Sequence, residues 1–478
     1  MLGQYYPPDQ ARSDARPPPR LIRVDGIAAD PPAGPLERRD TKERHVGSKR
    51  RGMVCSAQPE ATEAGIDVLA AGGNVVDAAI TAALVQCAVD PQMCGIAGFG
   101  SMHLYLPDKG FHGFIDFHGR APLAVTPDMW ADRIVGECDD GFGFMLREQV
   151  NEIGYQSMTT PLTIKAFDEA LTRFGTRPLA QALGPAIEWC EQGFAVRPHV
   201  SGFWNQPPGG GLLIVMMLNI LQEFDLAALG HNTPDYIAVV AEAMKIATYE
   251  KDTRLGDPKF VKIPFDELTS REWAKRMAER IRRGEKTTVP RLPDKTAESR
   301  YTTHICVADD SGACVSLTHS LGSASGVVTD GLGFMYNNCM MVFDPRPGRS
   351  GSLAPGKARF SAMAPTIVFD GDRPMLVIGA PGGTTITMGI LQGILNVVDF
   401  GMTAEQAVVA PRICATSDRI EMVNRIPRAT ERALQARGYP TLRYAESYAF
   451  PLVHAIRIRD GRFDGGADPA GDGVALGM

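Results

Sequence analysis

Apolar positions recur at helical spacing from Pro59 and stop at Gly72-Gly73, so the first element reads as a helix opened by proline and closed by glycine. Asp77 to Val89 is apolar almost throughout, which predicts a helix buried between layers. His112 to Phe117 has a strand pattern, and helical patterns return over 162–174, 178–190, 212–226 and 235–250. Residues 270–300 turn polar and basic, with prolines at 290 and 293, and predict a helix followed by an exposed, cuttable loop. Before Gly52 there is little periodicity and much Pro, Arg and Asp, so residues 1–50 read as a disordered leader.

At Tyr301 the character changes. Thr302 to Ala308 alternates with strong β propensity, Asp309-Asp310-Ser311-Gly312 is a turn, and Ala313 to His319 alternates again, which is a hairpin signal. With Asp309 facing Ala313, the register sets Thr302 opposite Ser320. Strand patterns follow at 363–369 and 374–379, then a helix over 387–400. Helices before the sheet and between its strands predict a layered α+β fold.

Composition narrows the function. The 478 residues, 44% of them apolar, suffice for one large core or two joined lobes. Lys and Arg number 49 against 55 Asp and Glu, a net charge of −6 without a basic stripe, so no nucleic-acid partner is expected. The nine cysteines are dispersed, without C-x-x-C, and read as buried thiols in a reducing compartment. No Cys/His ligand spacing occurs, so neither a metal site nor a cofactor is expected. The start of the chain has no apolar signal region, and Leu212 to Leu221 is too short to span a bilayer; the expectation is a cytoplasmic protein with no membrane partner.

Three stretches carry candidate chemistry. A Thr freed at its own N-terminus supplies a hydroxyl nucleophile and, in its α-amine of pKa about 8, a general base. Tyr301-Thr302 at the head of the hairpin offers such a Thr, with Ser320 placed to hold its hydroxyl. Gly379-Ala380-Pro381-Gly382-Gly383, between a strand and a helix, lets backbone N–H groups converge as an oxyanion hole. Arg120, in Phe117-His118-Gly119-Arg120, ends a strand where a guanidinium could clamp a substrate carboxylate. Gly95 to Gly100 has the wrong spacing for a dinucleotide loop, and G-x-S-x-G is absent.

In order along the chain, Arg51-Gly52-Met53-Val54, Ala71-Gly72-Gly73-Asn74-Val75-Val76-Asp77-Ala78-Ala79, Leu229-Gly230-His231-Asn232, Leu255-Gly256-Asp257-Pro258, Thr302-Thr303-His304, Pro365-Thr366-Ile367-Val368, Pro381-Gly382-Gly383 and Ala410-Pro411-Arg412 resemble the γ-glutamyltranspeptidase superfamily of N-terminal nucleophile hydrolases. The resemblance implies a four-layer αββα sandwich made as a precursor. The Thr302 hydroxyl would cut the Tyr301–Thr302 bond, giving a large subunit 51–301 behind the leader and a small subunit 302–478. Thr302 would then attack a small-molecule amide, and water or an amine acceptor would release the acyl group. Gly382 and Gly383 take the oxyanion role and Ser320 that of the hydroxyl bonded to the nucleophile. Whether two processed heterodimers pair is left open.

The departures concern specificity. Where glutamyl-specific members hold the substrate's α-ammonium, this chain has Gly322, Cys339 and Val342, with Asp344 nearby. On the carboxylate side it has His118, with Arg120 two places on, and Ser361 with Ala362. The expected activity is therefore a threonine amidohydrolase or acyltransferase acting on a small carboxylate-bearing amide. The alternatives are a true γ-glutamyltransferase (glutathione hydrolase) and an unprocessed pseudoenzyme that binds without cutting.

Overall fold

A computed structural model describes residues 51–137, 143–194, 212–255, 262, 264–289, 302–322, 325–359 and 361–478. The expected leader 1–50, the loop from Pro290, and Tyr301 lie outside the described residues. Contacts divide the chain into Met1–His45 and Val46–Met478, and everything below belongs to the second unit.

Two sheets form the centre of this mixed α and β fold. The larger has six strands: β1 (Gly52–Ser56), β2 (Phe99–Leu106), β3 (Phe111–Phe117), β6 (Thr303–Asp309), β7 (Cys314–Ser320) and β15 (Val474–Gly477). Their order is β15-β1-β6-β7-β2-β3, every pair antiparallel. The second sheet comprises β8 (Thr366–Asp370), β9 (Arg373–Gly379), β13 (His454–Arg459) and β14 (Arg462–Ala467), in the antiparallel order β14-β13-β9-β8. Two minor sheets complete the strands: β4 (Ile134–Glu137) with β5 (Phe144–Leu146), and β10 (Ile413–Cys414), β11 (Ile420–Met422) and β12 (Thr441–Arg443).

Alternation along β6 and β7 explains the packing. Ile305, Val307, Val315 and Leu317 join a core with the helices Pro59–Ala70, Val75–Val89, Thr163–Phe174 and Leu179–Gln192. The intervening Cys306, Ala308 and Cys314 meet Ile367, Val377 and Ile456 of the other sheet. Leu376, Ile378 and Ala455 turn the second sheet's far face to helices including Leu212–Leu221, Pro234–Arg254 and Ile386–Val398. With period-two side chains, each strand residue is committed to one of these two environments.

The predicted helices form, with shifted ends. The apolar helix starts at Val75 because Asn74 and Asp77 make a reciprocal capping box. The pattern over 212–226 breaks at Leu221, and a separate turn, Leu226–Leu229, is capped where Asp225 accepts from the Ala228 N–H at 2.9 Å. The hairpin has the predicted register: Thr303 pairs with His319 and His304 with Thr318. One strand was not among those predicted: Gly95 to Gly100 leads into β2; a Cβ on Gly98 would lie 2.2 Å from the Ser320 carbonyl oxygen, and one on Gly100 2.4 Å from that of Thr318. These glycines let β2 lie close against the hairpin.

Candidate active site

Three strand registers, two of them extended by one residue, line up four side chains across the six-stranded sheet. Thr302 falls opposite Ser320, Ser320 pairs with Phe99, and Phe99 falls opposite His118. Strands are spaced about 4.8 Å apart, so the row from Thr302 to His118 covers roughly 14 Å. Thr302 shares its parity with His304 and Cys306, which places it on the face between the sheets. All four side chains are buried. The Thr302 hydroxyl donates to Ser320 Oγ at 3.4 Å, and Ser320 Oγ also accepts from the Gly322 N–H at 2.9 Å.

Beneath this end His304 is buried, with Nδ1 2.8 Å from Thr318 Oγ1. Burial first, then the neighbouring His454 and His319, hold its pKa well below the ordinary histidine value, so the ring stays neutral. The glycine loop reaches the same end. A Cβ on Gly379 would lie 2.1 Å from the His304 ring, which puts the end of β9 directly against β6. Gly382 (φ 135°) and Gly383 (φ 64°) follow in conformations that disfavour any side chain, and the helix Ile386–Val398 begins just beyond. A Cβ on Gly382 would also strike Pro451 at 2.7 Å. Arg412 donates to the Pro451 carbonyl at 3.3 Å and makes a buried ion pair with Asp468. Arg412 thereby pins the wall behind the glycine loop.

At the other end of the row, the Phe99 and His118 rings meet edge to face at 5.0 Å. Arg359, which the sequence reading missed, is buried there with its guanidinium 4.9 Å from the Phe99 ring centre and the Cys339 thiol hydrogen-bonded to it. Burial first, then the Arg359 charge and more weakly that of Arg120, keep His118 well below its ordinary pKa. His118 is thus neutral, and the positive potential belongs to Arg359 and Arg120. The sequence signal for Arg359 was slight: one of two basic residues, Lys357 and Arg359, just before Ser361.

The expected ammonium side is apolar and closely packed. Phe99, Cys339 and Met363 form one buried cluster, and burial raises the Cys339 thiol pKa, so it carries no charge. Gly322 (φ 71°) faces Asn338, whose Oδ1 a Cβ would meet at 2.5 Å. Val342 does not join them: it borders a separate cavity of about 610 Å³ that Lys251, Asp344 and Arg346 also line. Asp344 is held by Arg346 in two hydrogen bonds of 2.8 and 2.7 Å. Ser361 is half-buried and accepts from the Met363 N–H at 3.2 Å, while Ala362 is buried. Arg120 is partly exposed, its backbone bridged to Thr160 and Ala358.

Several motifs of the resemblance serve the scaffold. Asp77 accepts from the backbone N–H groups of Asn74, Thr176 and Arg177, and Asn232 (φ 56°) donates to the Pro411 carbonyl at 3.0 Å. Cys87, Cys94 and His319 converge although no sequence spacing links them, because a helix, a loop and a strand each contribute one.

The model of the gamma-glutamyltranspeptidase family matches residues 61–206 and 204–478. An Acylase ACY 1 proenzyme of Pseudomonas sp. (strain V22) is 31% identical, over 84% of this chain and 89% of its own. The glutathione hydrolase proenzyme of Escherichia coli (strain K12) is 27% identical, over 92% and 94%. In three dimensions the chain resembles the cephalosporin acylase of Bacillus halodurans, with a TM-score of 0.77 at 22% identity, over 93% of this chain and 98% of that one. The protein belongs to the gamma-glutamyltranspeptidase family.

Proposed function

We propose that this chain is a self-processing threonine amidohydrolase that removes a short carboxylate-bearing acyl group from an amide, through a Thr302 acyl-enzyme. The Thr302 hydroxyl cuts the Tyr301–Thr302 bond, and the α-amine it releases becomes the base for later turnovers. Gly382 and Gly383 N–H groups bind the oxyanion. Arg359, with Arg120 behind it, receives the acyl carboxylate, two strand spacings or roughly 10 Å from the nucleophile. The αββα layering belongs to this reading, supported by helices on the outer faces of both sheets. So does a cytoplasmic location, which fractionation of the native host tests.

The observation that carries the proposal is the contact of Thr302 with Ser320 at the head of a strand, on the face between the sheets. Relatives named acylase proenzyme support amide acyl transfer as the reaction class. The test is mass spectrometry and N-terminal sequencing of the purified protein. Two chains are expected, the smaller beginning at Thr302; a single chain of 51.6 kDa, or a cut elsewhere, overturns it.

A further inference from the structure

On the opposite face of the same hairpin lies a group that the proposed hydrolysis does not use. His319 shares its parity with Thr303, so it points toward the helix Val75–Val89 and away from Thr302 and Ser320. There it meets Cys87, in the last turn of that helix, and Cys94, in the loop that follows. One ligand atom from each lies within 4.8 Å of the other two. The Cys94 thiol hydrogen-bonds Cys87, and the His319 ring lies beside it.

A hydrogen-bond chain fixes the imidazole's tautomer. Gln86 Nε2 donates to Gln58 Oε1 at 2.5 Å and to Thr303 Oγ1 at 2.6 Å, so its carbonyl oxygen is the atom 2.9 Å from His319 Nε2. That oxygen can only accept, so Nε2 carries the proton and Nδ1 presents a lone pair. Nδ1 is buried and left to face the Cys87 thiol. An orienting carbonyl on one ring nitrogen and a lone pair turned toward thiols on the other is how a metal-binding histidine is prepared.

We propose that Cys87, Cys94 and His319 bind one thiophilic divalent cation, zinc, as a site separate from the acyl-transfer centre. Two thiolates and a dication cancel in charge, which suits a buried location, and binding releases the two thiol protons. Zinc bonds of about 2.3 Å to sulfur and 2.0–2.1 Å to nitrogen set the donors roughly 3.5–3.8 Å apart, so from separations within 4.8 Å the donors need draw together by about 1.3 Å at most. A disulfide would use two of the three groups and leave Nδ1 as it is; a cation uses all three. Cys87 is partly exposed and gives the ion a way in. The ion would tie the helix to the hairpin that carries Thr302.

The test uses the full-length purified protein, reduced and stripped by chelator, with two free thiols at Cys87 and Cys94 confirmed by mass before titration. One equivalent of zinc is expected to bind in competition with a chromophoric chelator and to raise the Tm. Cobalt(II) at the same site is expected to show sulfur-to-metal charge transfer and tetrahedral d–d bands. Cys94→Ser should abolish both signals, and so should Cys87→Ser, whose partly exposed position keeps the fold safer. Cys190→Ser, at an exposed cysteine in another helix, should leave them unchanged. Failure of the wild type to bind, or equal binding by the Cys87→Ser protein, overturns the proposal.

Discussion

The two ends of the strand row differ in how they are built. At the proposed nucleophile end, one hairpin supplies Thr302, Ser320 and the neutral His304 from strands joined by a short turn, and the glycine loop after β9 closes on them. The recognition end collects Phe99, His118, Cys339 and Arg359 from four separated stretches. A hairpin register is a local constraint that changes little without moving the nucleophile. Recognition residues can be exchanged one at a time, and here the side suited to an anion keeps its charge while the side suited to a cation has none. On the proposed function, the reaction and its specificity are thus carried by different kinds of structure.

The largest effect should follow from removing the nucleophile. Thr302→Ala is expected to remain one chain and to lose amidase activity by about 10⁶-fold, as other covalent hydrolases do. Denaturing electrophoresis and a chromogenic amide assay check it. Retained cleavage would place the nucleophile elsewhere and dissolve the comparison.

A matched pair of substrates tests the recognition end. Glutaryl-p-nitroanilide should exceed γ-glutamyl-p-nitroanilide in kcat/KM, because the latter brings an ammonium against Gly322 and Cys339, which offer no counter-charge. An unpaired buried charge costs roughly 3–5 kcal/mol, or about a hundred- to a few thousand-fold. Asp344 is expected to give no rescue, since Arg346 already holds it. A preference for the glutamyl compound would favour the glutathione hydrolase reading.

Arg359→Met sharpens the other side of that pocket. It should lower kcat/KM for the glutaryl amide by roughly 10- to 150-fold, the 1.5–3 kcal/mol of a charged hydrogen bond. An uncharged acyl amide should be almost unaffected, and autocleavage should persist. Equal losses on both substrates would reduce Arg359 to a packing role.

How far each end was legible follows from the same contrast. The hairpin register could be counted from the turn, and the glycine loop announced itself by Gly382-Gly383 between a strand and a helix. Arg359 could not be found that way, because only the pairing of β2 with β7 brings Phe99 beside Ser320, and only folding lays a guanidinium on that ring. β2 does alternate over Ser101–Leu106, but its start at Phe99-Gly100 lies inside the glycine-rich run Gly95–Gly100 and hides the strand's beginning. The Cys87, Cys94 and His319 group was invisible for a related reason: its members lie on three elements.

Neutral buried histidines at both ends set a pH dependence of stability. Unfolded, each ring takes a proton below about pH 6.5. Folded, His118 and His304 stay neutral well below that, and His103 down to about 4. Their contribution is complete above about pH 6.5 and is lost as the pH falls, by about 2 kcal/mol per ring between pH 6.5 and 5. Urea denaturation of the processed protein at the two pH values should show it, with a shallower slope for His304→Asn. Equal midpoints would mean that these rings are protonated in the folded state.

The smallest effect concerns the hydroxyl that joins the nucleophile to the rest of the row. Ser320 Oγ receives the Thr302 hydroxyl at 3.4 Å, a long contact for two oxygens, and the Gly322 N–H at the better distance of 2.9 Å. In Ser320→Ala the Thr302 hydroxyl loses an acceptor and the Gly322 N–H loses its Ser320 partner, while the strand pairing of Ser320 with Phe99 remains. The fold should therefore persist. A neutral hydrogen bond contributes about 1 kcal/mol, so processing and turnover should each slow by roughly fivefold, more if the bond shortens as the nucleophile attacks. Ser320→Thr restores a hydroxyl and should recover most of the rate, whereas Ser320→Cys, with a weaker acceptor, should not. The pattern separates two roles for this residue. Slowing of both steps with recovery by Thr means that Ser320 orients the Thr302 hydroxyl. Slowed processing with normal turnover means that its main work is to shape the turn at Gly322, which would move Ser320 from the nucleophile end of the comparison to the recognition end.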